Sequence, residues 1–266
     1  MNPQRESERE GALAAFVSAV LGDELRLLSA HLETSTWVLG ALWDSSRDPN
    51  WDKVPVAALV GASTSLDALR AVQRNLLSGD FVGTYVELRR SFECQMLAIA
   101  ALQSPTTAEA WLQGRQPSPR DLRVVAAPAE TRDAPVVQRL YRLLSVYAHG
   151  HVESTAAYAN RWDRFEWPPT AEGSDPERIR AVFDSVVAFA SNFGNLMERL
   201  TDNWTLIKDT ALGEHARQSY GHFRYYVEHH ARGRGVEAPF AAVDPATAAE
   251  WFALPARPDG AEDISH

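Results

Sequence analysis

The sequence predicts an all-α protein, a multi-helix bundle of about six to eight helices. Three observations carry this. Apolar residues recur at helical spacing through most of the chain, as in Phe16, Val17, Val20, Leu21, Leu28 and Leu32, and again in Val182, Val186, Phe189, Phe193, Met197 and Leu200. Helix start and stop signals separate these runs. No stretch alternates apolar and polar residues for a useful length, as a half-buried strand would.

Each element has its own signals. Residues 1–6 read as frayed, and Ser7 with Glu10 forms a capping box for a first helix. That helix continues or restarts through Trp37, Leu39 and Leu42. The turn-rich stretch 44–54 ends it. Pro55 opens a second helix to about Leu77, stopped by Ser78-Gly79-Asp80. Its GASTS run at 61–65 reads as a small-residue helix contact rather than a nucleophile. A third helix, Phe81 to about Leu102, is apolar nearly all round and should be central. Thr106 and Glu109 form a capping box for a short helix through Trp111. Residues 114–132 lack periodicity and read as a loop.

The segment Asp133–Ser154 follows, with Asp133 as N-cap, Pro135 in the first turn and Gly150 as a stop. A long connection covers 157–174. Asp175-Pro176-Glu177 starts a helix with an apolar stripe, and a last helix spans about Glu214 to Ala231. Residues 1–232 therefore read as a single all-helical domain. Residues 233–266 read as a Pro- and Ala-rich C-terminal tail with one short helix.

Composition narrows the function classes. The net charge of -9 argues against a broad surface that coats nucleic acid, though not against a local basic site. The single cysteine, Cys94, excludes an intramolecular disulfide and gives no metal cluster. No segment approaches the roughly 20 apolar residues of a membrane span, and the acidic ESERE start is unlike a signal peptide. These features lead to the expectation of a cytoplasmic protein.

Two constellations could carry chemistry. On a helical wheel Leu140, Leu143, Leu144 and Tyr147 fall on one side, with Tyr141, Arg142, Ser145 and His149 on the other. A cation, two hydroxyls and an imidazole can bind an anion and move a proton. The same stripe could equally be a solvated polar face. In the third helix, Arg89, Arg90 and Glu93 sit in an apolar setting. Glu93 can pair with either arginine, and Arg90–Glu93 is the pairing expected to be mutually satisfied. The pair could brace the bundle, or an arginine could bind an anion beside the stripe. The last helix holds His215, His222, His229 and His230. No Glu-x-x-His or His-Glu-x-x-His accompanies them, so no metal site or cofactor is expected.

LRRSFE at 88–93, AEAWL at 108–112 and the Tyr141-x-x-Leu-Ser-x-x-x-His-Gly pattern together resemble a group of uncharacterised bacterial all-helical proteins. Those share an LR-x-x-x-E helix and a Y-x-x-L-S-x-x-x-H helix. The resemblance covers roughly residues 60–155. More remotely the chain is similar to the HEPN (higher eukaryotes and prokaryotes nucleotide-binding) domains. Many of those are ribonucleases of toxin and defence systems, with an Arg, four to six residues, then His at a dimer interface. Arg142 and His149 are separated by six residues and match this motif. HEPN nucleases commonly place a polar residue after the Arg, where this chain has Leu143.

The resemblance implies a HEPN-like core, a homodimer and a metal-independent ribonuclease or an RNA- or nucleotide-binding protein. Arg142 would hold a phosphate, His149 would act as general acid or base, and Tyr141 and Ser145 would orient them. Arg89 and Arg90 would anchor phosphate. The alternative is a non-catalytic bundle that binds a small ligand or protein partner near Trp162, Phe165 and Trp167. In that case the stripe should lie outside or be locked in structural hydrogen bonds.

Overall fold

The computed structural model describes residues 3–46, 56–115, 117–126, 138, 141, 142, 144, 145, 176–202 and 205–226. These residues are helical wherever they are regular, and no strand occurs among them. Helices α1 (Pro3–Ser45), α2 (Val56–Leu77), α3 (Phe81–Gln103), α4 (Pro105–Leu112) and α5 (Pro119–Ala126) come first. After the helical residues 138, 141, 142, 144 and 145 come α6 (Pro176–Asp202), the single turn α7 (Thr205–Lys208) and α8 (Ala211–Tyr226). The all-α bundle read from the sequence is thus the observed architecture. No described helix is long and apolar enough to cross a membrane.

The first helix continues through Trp37, Leu39 and Leu42 as one element of 43 residues. It begins at Pro3, so Ser7 lies inside it. Its one interior departure from helical geometry is Leu21 (φ -118°, ψ 18°), next to Gly22. Glycine has the weakest helix propensity of the non-proline residues, so the bend falls where the helix is cheapest to deform. On either side Leu13, Val17, Leu25, Leu28, Leu32, Leu39 and Leu42 stay buried.

A three-residue turn folds α3 back on α2. Gly79 takes a left-handed conformation (φ 72°) that other residues adopt only with strain. The Asp80 carboxylate then accepts from the Gly83 N–H at 2.8 Å and caps α3. The hairpin closes tightly because α2 presents small residues. A Cβ on Gly61 would sit 2.8 Å from the Cys94 carbonyl oxygen and 3.0 Å from the Ala98 nitrogen. The GASTS run is therefore a helix contact.

A polar seam runs through the same junction. Ser65 and Ser91 share a hydrogen bond of 2.8 Å. The Gln95 amide donates to Ser91 (3.0 Å) and the Asn192 amide donates to Gln95 Oε1 (2.6 Å). Ser65, Ser91 and Gln95 are fully buried, and each has a partner, as buried polar groups require. The core lies where α1, α2, α3 and α6 meet, and α8 closes it against α1 and α6.

Several boundaries differ from expectation. Helix α4 is capped by Ser104, whose hydroxyl accepts from Thr107, with Pro105 in the first turn, rather than by Thr106. Part of the expected loop 114–132 is helix α5. Helix α8 starts at Ala211, ahead of Glu214, after Thr210 accepts from the Gly213 N–H at 3.2 Å. The tail 233–266 lies outside the described residues.

Gly61 and Gly40 make opposite predictions. Gly40 is exposed in α1 with nothing within 4 Å of an added Cβ. Gly40→Ala should raise stability by about 1 kcal/mol through helix propensity. Gly61→Ala should lower it by about 1–3 kcal/mol, because the new methyl meets backbone. Thermal melts of the two variants check this.

Candidate functional site

Helix α3 divides its charges between two faces. Arg89 points toward α5 and the 138–145 segment, with a side chain only 13% exposed. Its Nε donates to Glu93 Oε1 at 3.0 Å. Arg90 turns to solvent, 57% exposed, and faces Glu87 at 3.6 Å. The expected Arg90–Glu93 pairing is therefore replaced by Arg89–Glu93. The four-residue spacing puts Arg89 and Glu93 one above the other on the face where α5 packs.

The Tyr141 stripe is divided too. Arg89 donates from a terminal nitrogen to the Tyr141 hydroxyl at 3.0 Å. Ser145 Oγ donates to the Tyr141 carbonyl at 2.6 Å. Tyr141 is half-buried and packs on the core, while Leu144 is fully buried. Arg142, one residue on, is exposed. Arg89, Glu93, Tyr141 and Ser145 are thus brought together, and Arg90 and Arg142 are turned away. His149 lies outside the described residues, as do Trp162, Phe165, Trp167, His229 and His230.

A second arginine completes the junction. Arg123 of α5 lays its guanidinium over the Tyr141 ring, 3.7 Å from the centroid, and that of Arg89 lies 5.1 Å from it. Such stacking suits the planar guanidinium. Sequence reading missed Arg123 because α5 was read as loop. The signal was present in Ser118-Pro119-Arg120-Asp121. The Ser118 hydroxyl accepts from the Asp121 N–H at 3.2 Å, and the Asp121 carboxylate accepts from the Ser118 N–H and hydroxyl at 3.3 and 2.6 Å. This is a capping box with proline in the first turn. The two bonds from Ser118 also hold the Asp121 carboxyl below its ordinary range.

One terminal nitrogen of Arg89 and one of Arg123 are buried without a hydrogen-bond partner. The two guanidinium carbons are no farther apart than the sum of their distances from the Tyr141 centroid. Charge-assisted N–H···O contacts of about 2.7–2.9 Å are what such nitrogens make with an oxyanion. Among the described residues of the junction, Glu93 balances one of the two positive charges.

Other candidates are weaker. No group of three metal-ligating side chains occurs among the described residues. Burial pushes the Cys94 thiol up to about 11, so it is held as the unreactive thiol.

Glu93→Gln should lower stability by about 1–2 kcal/mol, because it weakens the half-buried partner of Arg89. Arg90→Ala should stay within about 0.5 kcal/mol, as exposed pairs do. Chemical denaturation of both variants distinguishes the two arginines. No family model, curated protein or solved structure matches this chain.

Proposed function

We propose that this chain is a helical binding module, with a HEPN-like core, for a phosphate-bearing ligand, RNA or a nucleotide. The ligand's phosphate would be held at the Arg89–Tyr141–Arg123 junction. The observation that carries this reading is the pair of buried, unpartnered guanidinium nitrogens on α3 and α5. An orphaned buried donor costs about 1–3 kcal/mol, and more when charged. An oxyanion reaching both would recover that cost, and arginine matches phosphate geometry well. Arg123 is held on Tyr141 by stacking.

Binding is favoured over catalysis. The Tyr141 hydroxyl already accepts from Arg89, and the Ser145 hydroxyl is committed to a backbone carbonyl. Ribonuclease action would rest on Arg142 and His149 alone, with His149 as general acid or base. It would need no metal. A site of this kind built across a two-fold axis also implies a homodimer.

With a chain charge of -9, RNA binding should be local and fall as salt rises. Wild type in chelator should bind RNA or nucleotide, and Arg123→Ala and Arg89→Ala should each weaken binding by about tenfold or more. Wild-type failure to bind either, or full binding by both variants, would overturn the proposal. RNA cleavage lost in His149→Ala and Arg142→Ala would establish the nuclease reading instead. Light scattering should report a dimer.

A further inference from the structure

A buried histidine of α1 has no part in the arginine junction. His31 of α1 is 1% exposed. Its Nε2 lies 3.0 Å from the Ala190 carbonyl of α6 and so carries the hydrogen. Its Nδ1 has no partner. The ring stacks on Phe223 of α8 at 4.3 Å and meets Tyr220 and Phe193 edge-on at 5.2 and 6.5 Å. Gly194 leaves room for it, since a Cβ there would come within 2.9 Å of the imidazole. The Tyr220 hydroxyl is 3.2 Å from that of Ser35, which donates to the His31 carbonyl at 2.9 Å.

We propose that protonation of His31 releases α8 from the bundle, so that mild acid opens this one helix and bares the face of Tyr220 and Phe223. A second proton on the ring would stand on Nδ1, which has no acceptor among its neighbours. Stacking on Phe223 would return part of the loss, since a cation over a benzene ring gains about 0.5–2 kcal/mol. Desolvation outweighs it. Burial brings the imidazole down to about 4, against the opposing pull of the Ala190 carbonyl. The folded value lies below that of the open chain, so the stabilisation is complete above about pH 6.5 and is lost as the pH falls toward 4.

The opening is confined to α8 because His31 and α6 stay anchored in the core, while α8 packs chiefly on α1, α6 and α7. Other charges lie near the junction among the described residues. Arg224 of α8 pairs with Glu198 of α6, and Glu198 also acts on Tyr220. His215 of α8 lies 3.5 Å from Thr34 and tilts against Trp37. From α2, Arg70 reaches α1 at Thr36.

Hydrogen exchange of the full chain at about pH 7 and pH 5 tests the proposal. Protection factors, corrected for intrinsic rates, should fall by about tenfold in 211–226 and stay level in α2 and α3. His31→Phe should abolish the difference and His215→Gln should keep it. Unchanged protection in 211–226 of wild type, an equal fall in all helices, or a difference that survives His31→Phe overturns the proposal. If His31→Phe does not fold, NMR titration of the wild-type His31 ring decides. A ring that gains its proton with α8 still protected overturns it, and one that gains it as α8 opens supports it.

Discussion

The close approach of α2 to α3 is the constraint on which the remaining structure depends. Gly61 lets the two backbones meet, and the Ser65–Ser91 bond fixes their register. From there the polar seam reaches α6 through Gln95 and Asn192. A buried hydrogen-bond chain of this kind is worthwhile only when every member is satisfied, so it selects one arrangement of three helices. That arrangement also aims Arg89 and Glu93 at the face on which α5 and Tyr141 settle.

The fold was legible because helical periodicity is clear in α1 and α6, and start and stop signals bound α2 and α3. The arginine junction was legible in part. Leu88–Glu93 and Tyr141 announced themselves as polar groups in apolar surroundings. Which arginine takes Glu93 was not, since spacings of three and four both permit pairing and only tertiary packing decides between them. Arg123 escaped notice because eight residues of α5 are too few for periodicity to register. Only the Ser118–Asp121 capping box marked that helix. The histidines divide differently. Those of α8 read as an amphipathic helix surface, and His215 and His222 are exposed. His31 stands alone in an amphipathic helix, and the carbonyl and aromatic rings that give it meaning come from residues more than 150 positions away.

Two buried ionisable groups thus meet opposite fates in one bundle. Arg89 sets its charge against Glu93 and the Tyr141 hydroxyl. His31 has no counter-charge and is held neutral by its aromatic surroundings. The difference follows from chemistry: guanidinium cannot shed its proton in a protein and so must find partners, whereas imidazole can.

The two tight glycines carry different consequences for how the sequence can drift. At Gly194 an added methyl would meet the His31 side chain, and a change at position 31 could make room for it. At Gly61 the methyl would meet the carbonyl of residue 94 and the nitrogen of residue 98. Every amino acid carries those atoms, so no second substitution can remove the clash. Position 61 can change only if the helix pair separates, and separation would part Ser65 from Ser91. One glycine is negotiable with its neighbour; the other is tied to the backbone itself.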